Sequence, residues 1–206
     1  MGTTAGIRFR CIALIVLGFI VGAERPLAQA GEESPGRAVF VSKGCAICHE
    51  ERAVLQAPHV SVLRRDRSLF RLAADMWNHA PLMWANLSEP GLKWPRLTPR
   101  EMAALGLYLN GSAPKDPKPN LGRGQVMLVE KGCSRCHSLD GQGQRAAKDL
   151  VRHVRFDSNI AWVAAMWNHA PTMIALGAER GVEYPYFEPE ELVDLIGFLR
   201  KMGKPR

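Results

Sequence analysis

The sequence predicts an all-α protein built as two tandem domains, and two observations carry that prediction. The first is an internal repeat. Residues 60–110 align with residues 150–200 at a constant offset of 90, and the segments upstream align at 88, the second copy carrying two additional residues in its Asp140-Gly141-Gln142-Gly143 stretch. The second is that each copy shows the same succession of apolar positions at helical spacing, opened by residues that cap helices. The copies are 31–111 and 121–206, joined by 112–120, where three prolines predict an extended, semi-rigid linker.

Each copy opens with a short helix. In the first, Ser34 is the expected N-cap, Pro35 suits the first helical position, Val39 and Phe40 give an apolar face, and Gly44 ends the element. Val126, Met127, Leu128 and Val129 hold the matching place in the second copy. A middle helix starts near Ser68 or Ser158, with Leu69, Leu72 and Met76, or Ile160, Val163 and Met166, recurring at helical spacing. The last helix has the clearest start. Thr98-Pro99-Arg100-Glu101 combines an N-cap, a first-turn proline and a capping-box glutamate, and Glu188-Pro189-Glu190-Glu191 repeats it with a poorer cap. Met102, Leu105, Tyr108 and Leu109, matched by Leu192, Leu195, Phe198 and Leu199, make both last helices amphipathic.

Between the first and middle helices stand Cys45-Ala46-Ile47-Cys48-His49 and Cys133-Ser134-Arg135-Cys136-His137. Two cysteines two apart, followed at once by histidine, form the c-type haem attachment pattern. The cysteines would carry the haem as thioethers and the histidine would be its proximal iron ligand. A CxxC pair can also be half a zinc site or a thioredoxin-like couple, but neither requires the histidine. A four-cysteine zinc site normally closes within a short span, whereas these pairs lie 88 residues apart. Two covalent haem c groups are the preferred reading.

The amino terminus has a basic start at Arg8 and Arg10, an apolar run from Cys11 to Gly22, and Ala28-Gln29-Ala30 at cleavage-type positions, so 1–30 read as a signal peptide. Twelve apolar residues are fewer than the roughly 20 a membrane span needs. Cys11 precedes the apolar run, where a lipid-modified cysteine would follow it. The expected destination is the periplasm or another exported compartment. Removal of 1–30 takes three arginines and one glutamate, so the formal charge of +7 falls by two. The mildly basic remainder suggests an acidic protein partner rather than nucleic acid, because haem propionates would offset part of it. All four cysteines beyond residue 30 belong to the two motifs, which leaves none for a disulfide.

With the motifs, the repeat and the helix succession together, the chain after residue 31 resembles a tandem dihaem member of the class I cytochrome c family. That resemblance implies a fold in which first and last helices cross through an aromatic contact, here Phe40 with Tyr108 and Leu128 with Phe198. It implies that the Pro58 carbonyl receives the second ring hydrogen of His49. The second copy has Lys148 there, which suggests a different carbonyl for His137. The family's distal methionine commonly precedes a proline before the last helix, but those places hold Trp94-Pro95 and Tyr184-Pro185. The distal ligand is therefore expected upstream, or is absent.

Upstream, residues 76–83 (MWNHAPLM) return as 166–173 (MWNHAPTM), seven identities in eight. Met83 and Met173 are the expected distal metal ligands beside His49 and His137, since Pro81 and Pro171 should interrupt the middle helix and redirect the chain toward the iron. His79 and His169, before that break, are the alternative, with Met76 and Met166 behind them as residues of the apolar stripe. Trp77 and Trp167 suit core packing or a haem edge equally. His59 and His153 have no equivalent in register and read as ordinary, partly exposed histidines, while Met102 and Met127, paired with Leu192 and Val39, read as core.

The leading functional expectation is an exported carrier of single electrons between redox proteins, not an enzyme. The alternatives are a small dihaem oxidoreductase, peroxidase-like or acting on sulfur or nitrogen oxyanions, which needs one open iron, and a haem subunit of a membrane redox complex, reaching the membrane only through its partners. Arg64, Arg65, Arg67 and Arg71, matched by Val154, Arg155, Asp157 and Ala161, are the expected docking face of the first domain.

Overall fold

The computed structural model describes residues 1–2, 34–50, 57–88, 91–110, 115–152 and 158–203. The expected leader beyond Gly2, the start of the linker, His153, Val154, Arg155 and Asp157 lie outside the described residues. The architecture is helical. In the first half, α1 (Pro35–Ser42), α2 (Cys45–His49), α3 (Val60–Leu63), α4 (Leu69–Ser88) and α5 (Pro99–Asn110) follow one another. The second half runs α6 (Leu121–Glu130), a 3-10 turn at Cys133–Arg135, α7 (Asn159–Glu179) and α8 (Pro189–Met202). It also carries a two-residue antiparallel hairpin, Ser138 opposite Gly143 and Leu139 opposite Gln142, and a parallel bridge between His137 and Ala147.

Helix starts follow local chemistry. The Ser34 hydroxyl accepts from the Arg37 N–H at 3.2 Å, Asn120 does the same for Arg123 at 3.0 Å, and Ser158 for Ala161 at 3.1 Å. Thr98 and Glu101 form the reciprocal capping box, the Glu101 N–H donating to Oγ1 of Thr98 and the Thr98 N–H to Oε2 of Glu101. Glu188 and Glu191 form one too. Gly44 and Gly132, at φ +79° and +72°, turn the chain from the first helix into each cysteine motif through the left-handed region that glycine tolerates.

First and last helices pack in each half, α1 on α5 and α6 on α8. Phe40 meets Tyr108 at a ring-centre distance of 5.6 Å, and Leu128 and Phe198 are both buried. The close approach depends on Gly36 and Gly124: a Cβ at Gly36 would sit 2.1 Å from the Ala104 carbonyl oxygen, and one at Gly124 would sit 2.2 Å from that of Asp194.

The two halves share one hydrophobic core. Across their seam the hydrogen bonds are reciprocal. Trp77 Nε1 donates to the Pro185 carbonyl at 2.6 Å and Trp167 Nε1 to that of Pro95 at 2.7 Å. The Asn78 amide donates to the Phe187 carbonyl and accepts from the Phe187 N–H, at 2.8 and 2.9 Å. Asn168 does the same with Leu97, at 2.7 and 2.8 Å. Trp77 stacks on Tyr184 at 4.7 Å and Trp94 lies against Trp167 at 4.4 Å. The described part of the linker carries no helix and touches both halves: Asp116 accepts from the Phe70 N–H, and the Asn120 N–H donates to Asp194.

The expected interruption of the middle helices does not occur. Pro81 and Pro171 lie inside the continuous α4 and α7. A helical proline deprives the carbonyl four residues back of its donor. For Pro171 that carbonyl belongs to Trp167, and the Trp94 indole N–H supplies the missing bond at 3.1 Å.

Candidate functional site

Each cysteine motif forms one wall of a cavity, and the facing wall is the middle helix of the same half. The first cavity, about 260 Å³, is lined by Cys45, Cys48, His49, Pro58, His79 and Met83, with Leu92 and Pro95 also in its wall. The second, about 480 Å³, is lined by Cys133, His137, Lys148, His169, Met173 and Pro185, together with Trp77 of the other half. Cys136 and Tyr184 line its continuation along the same histidines.

The four motif cysteines are free and half-buried. Burial pushes the Cys45 and Cys133 thiols up to about 11, so both are protonated at neutral pH. The motif histidines are held in one orientation. Nδ1 of His49 bonds the Pro58 carbonyl and Nδ1 of His137 the Lys148 carbonyl, each at 2.8 Å. With Nδ1 engaged, Nε2 is the nitrogen left for a ligand, the arrangement by which a backbone carbonyl orients a metal-bound imidazole. The expectation of a different carbonyl for His137 is corrected here. The acceptor is a backbone oxygen, which Lys148 offers as well as Pro58 does.

On the facing helix, the structure brings His79 opposite His49, ring centres 6.3 Å apart at 57°, and His169 opposite His137, 6.2 Å apart at 67°. Burial, and then the nearby His49, hold the His79 imidazole below its ordinary value; burial, His137 and Lys148 do so for His169. Both are poised neutral. Met83 and Met173 line the same cavities, one helical turn further on. Met76 and Met166 line the crevice between the halves, with Trp77, Trp162 and Trp167, and Met166 also lines the second cavity. Met102 and Met127 are core.

Outside the cavities, His59 caps α3, its Nδ1 accepting from the Ser61 N–H. The arginines expected to form a docking face are largely engaged within the fold. Arg64 donates to the Tyr108 carbonyl and lies over its ring, and Arg67 binds Asn110, Asp75 and the Leu63 carbonyl. They tie the segment after α3 to the carbonyl end of α5, where cations are favoured. Arg65 and Arg71 remain exposed.

Three features escaped the sequence reading: the bonds across the seam, the glycines at the helix crossings, and a buried aspartate. Trp77, Asn78 and their equivalents owe their identity to the seam, and the recurrence of an asparagine beside each tryptophan was the available signal. Gly36 and Gly124 recur at the offset of 88 and mark the helix crossings. Asp149 is a third case: buried, it accepts from Ser138, Gly141, Val151 and Arg152 and fastens the hairpin to the strand-like segment bearing Lys148. Among the described residues no three His, Cys, Asp or Glu side chains converge as an all-protein metal centre would require. The chain matches no protein-family model, no curated protein and no solved structure.

Proposed function

We propose that this chain is an exported dihaem c-type cytochrome that carries single electrons between redox proteins. The observation that carries the reading is the duplicated seat: in both halves a CxxCH motif faces a cavity, with its histidine oriented through Nδ1 by a backbone carbonyl 2.8 Å away. The residues present suit haem c. Cys45 and Cys48, or Cys133 and Cys136, would hold the porphyrin edge as thioethers, and His49 or His137 would ligate its iron. A bound haem would supply a one-electron couple. The protein's own part is to orient the imidazole, to bury the porphyrin faces against apolar side chains such as Leu128 and Leu150, and to hold the two seats in one rigid core through the tryptophan and asparagine bonds.

Two further features support a carrier over an oxidoreductase. An enzyme needs one iron open to substrate, and both cavities here place a second imidazole opposite the first. Catalytic dihaem proteins also differentiate their two sites, whereas these distal segments are nearly identical. Partners with acidic surfaces suit the basic chain, with Arg65 and Arg71 as exposed cations. No described helix is long and apolar enough to cross a membrane, and contact with one through a partner complex fits the same reading.

Intact mass and the alkaline pyridine spectrum of protein made in a cell with the haem attachment machinery test the proposal. Two haems per chain, with cleavage after Ala30 and reversible one-electron reduction of each, are expected. A chain that carries no covalent haem, or only one, overturns it.

A further inference from the structure

The proposed haem seats leave open which side chain completes the iron coordination, and the two ring pairs address that. An iron on the line between two imidazole nitrogens, with metal–nitrogen bonds of about 2.0 Å and about 1.1 Å from nitrogen to ring centre, sets the ring centres about 6.2 Å apart. His49 and His79 stand 6.3 Å apart, and His137 and His169 stand 6.2 Å apart. Direct contact between the rings would be shorter, and a distal pocket that binds a gas or substrate would be longer. The same spacing occurs twice, in halves whose surrounding loops differ.

We propose, on the reading that the cavities hold haem c, that both irons are bis-histidine ligated, by His49 with His79 and by His137 with His169, rather than by methionine.

The helix geometry points the same way. Met83 was expected because Pro81 should break the helix and send the chain toward the iron. With α4 continuous through Pro81 and α7 through Pro171, His79 and Met83 lie on one face, four residues apart, and four residues advance the helix by about 6 Å. If His79 is over the iron, Met83 is a full turn off its axis. Met83 and Met173 then pack along the porphyrin face as apolar lining. The duplicated seam fixes the register, because Asn78 is bonded to Phe187 and Asn168 to Leu97 at the residues directly before the two histidines. A second imidazole also sets a lower potential than a thioether would, so the electron donors must be correspondingly reducing.

The test uses the full-length holoprotein. Ferric spectra of the unaltered protein should show two low-spin haems, no methionine-to-iron charge-transfer band, and low-temperature electron paramagnetic resonance of bis-imidazole type. Met83→Leu and Met173→Leu should leave these signals unchanged. His79→Ala should turn half of the haem high-spin and let it bind carbon monoxide, and His169→Ala the other half. A charge-transfer band in the unaltered protein that Met83→Leu or Met173→Leu removes overturns the assignment while leaving the dihaem reading intact, as do low-spin haems that survive His79→Ala and His169→Ala. Protein without covalent haem overturns both readings, and the spectra of the unaltered protein decide the matter even if a variant fails to fold.

Discussion

The two halves agree in most residues that bond across the seam or pack the first helix on the last, and differ most around the motif histidines. Trp77 and Asn78 against Trp167 and Asn168, Lys43–Glu101 against Lys131–Glu191, and Gly36 against Gly124 all recur with the same partners. By contrast, His59 caps a helical turn after the first proximal histidine, whereas its counterpart Asp149 clamps a hairpin to the second. Trp94 donates to the seam, whereas its counterpart Tyr184 has no hydrogen-bond partner for its buried hydroxyl among the described residues. The identity between the copies is thus explained by reciprocity. A residue that bonds across the seam in one half can change only if its partner in the other half tolerates it, and the proximal side carries no such constraint. On the proposed dihaem reading, seats with different proximal clamps would differ in potential.

The largest expected effect is at the seam. Asn78→Leu leaves the Phe187 N–H and carbonyl without partners in a buried place, and Asn168→Leu does the same to Leu97. Each should cost about 2–4 kcal/mol, since an unsatisfied buried backbone group costs about 1–3 kcal/mol. Thermal unfolding of the holoprotein measures this. If the two variants differ by more than about 1 kcal/mol, the seam is not the symmetric element described here. The helix crossings come next. Gly36→Ala and Gly124→Ala each drive a Cβ into a backbone carbonyl, and overpacking of that kind costs about 1–3 kcal/mol. Equal losses are expected. A tolerated Gly124→Ala would mean that α6 and α8 can separate where α1 and α5 cannot.

How much of this was legible in the sequence follows from the range of each interaction. Ser34, Ser158 and the Thr98–Glu101 box were readable because capping is settled within four residues, and the attachment motifs because their chemistry is contiguous. The continuity of α4 and α7 was not. Pro171 is tolerated because Trp94, 73 residues away from Trp167, supplies a donor to the stranded carbonyl, and no local rule contains that. The same long-range bond hid the alignment of His169 with His137, since a broken α7 would have favoured Met173. Lys148 misled for a different reason: the acceptor is main chain, so the side-chain change from Pro58 carried no information. Arg67 read as surface charge because its partners, Asn110 and Asp75, come together only in the fold.

The proximal asymmetry should show in acid. Burial alone would raise the Asp149 carboxyl, but the Gly141 N–H, the Ser138 hydroxyl and the N–H groups of Arg152 and Val151 outweigh it and hold the group well below the ordinary carboxylate range. A carboxylate depressed by folding contributes stability above its unfolded value of about 3.9, and loses it as pH falls through the folded value. The chain should therefore lose stability with acid below about pH 4. Asp149→Asn should cost about 1–2 kcal/mol at neutral pH, because hydrogen bonds to a charged group are worth about 1.5–3 kcal/mol, and the difference from the unaltered protein should shrink toward pH 2. His59→Asn, which keeps a capping side chain and adds no carboxylate, should leave that acid slope in place. An unchanged slope in Asp149→Asn would show that the clamp's charge is not what stabilises the second proximal loop.

The smallest effect separates Trp94 from Tyr184. Trp94→Phe removes the donor to the Trp167 carbonyl, so it should cost about 1 kcal/mol in hydrogen bonding and somewhat more in lost ring area. Tyr184→Phe keeps the stack on Trp77 and removes a hydroxyl that burial leaves unpaired. Burial also pushes that hydroxyl far above the ordinary phenol value, so it stays protonated throughout. Its removal should be neutral or stabilising by up to about 1 kcal/mol, because a buried unsatisfied polar group costs about that much or more. Unfolding of both variants as holoproteins gives the comparison. Tyr184 lines the second cavity as well as the seam, so a loss of 1 kcal/mol or more in Tyr184→Phe would mean that the hydroxyl donates to what the cavity holds. The second seat would then be distinguished from the first on its distal side as well as its proximal one.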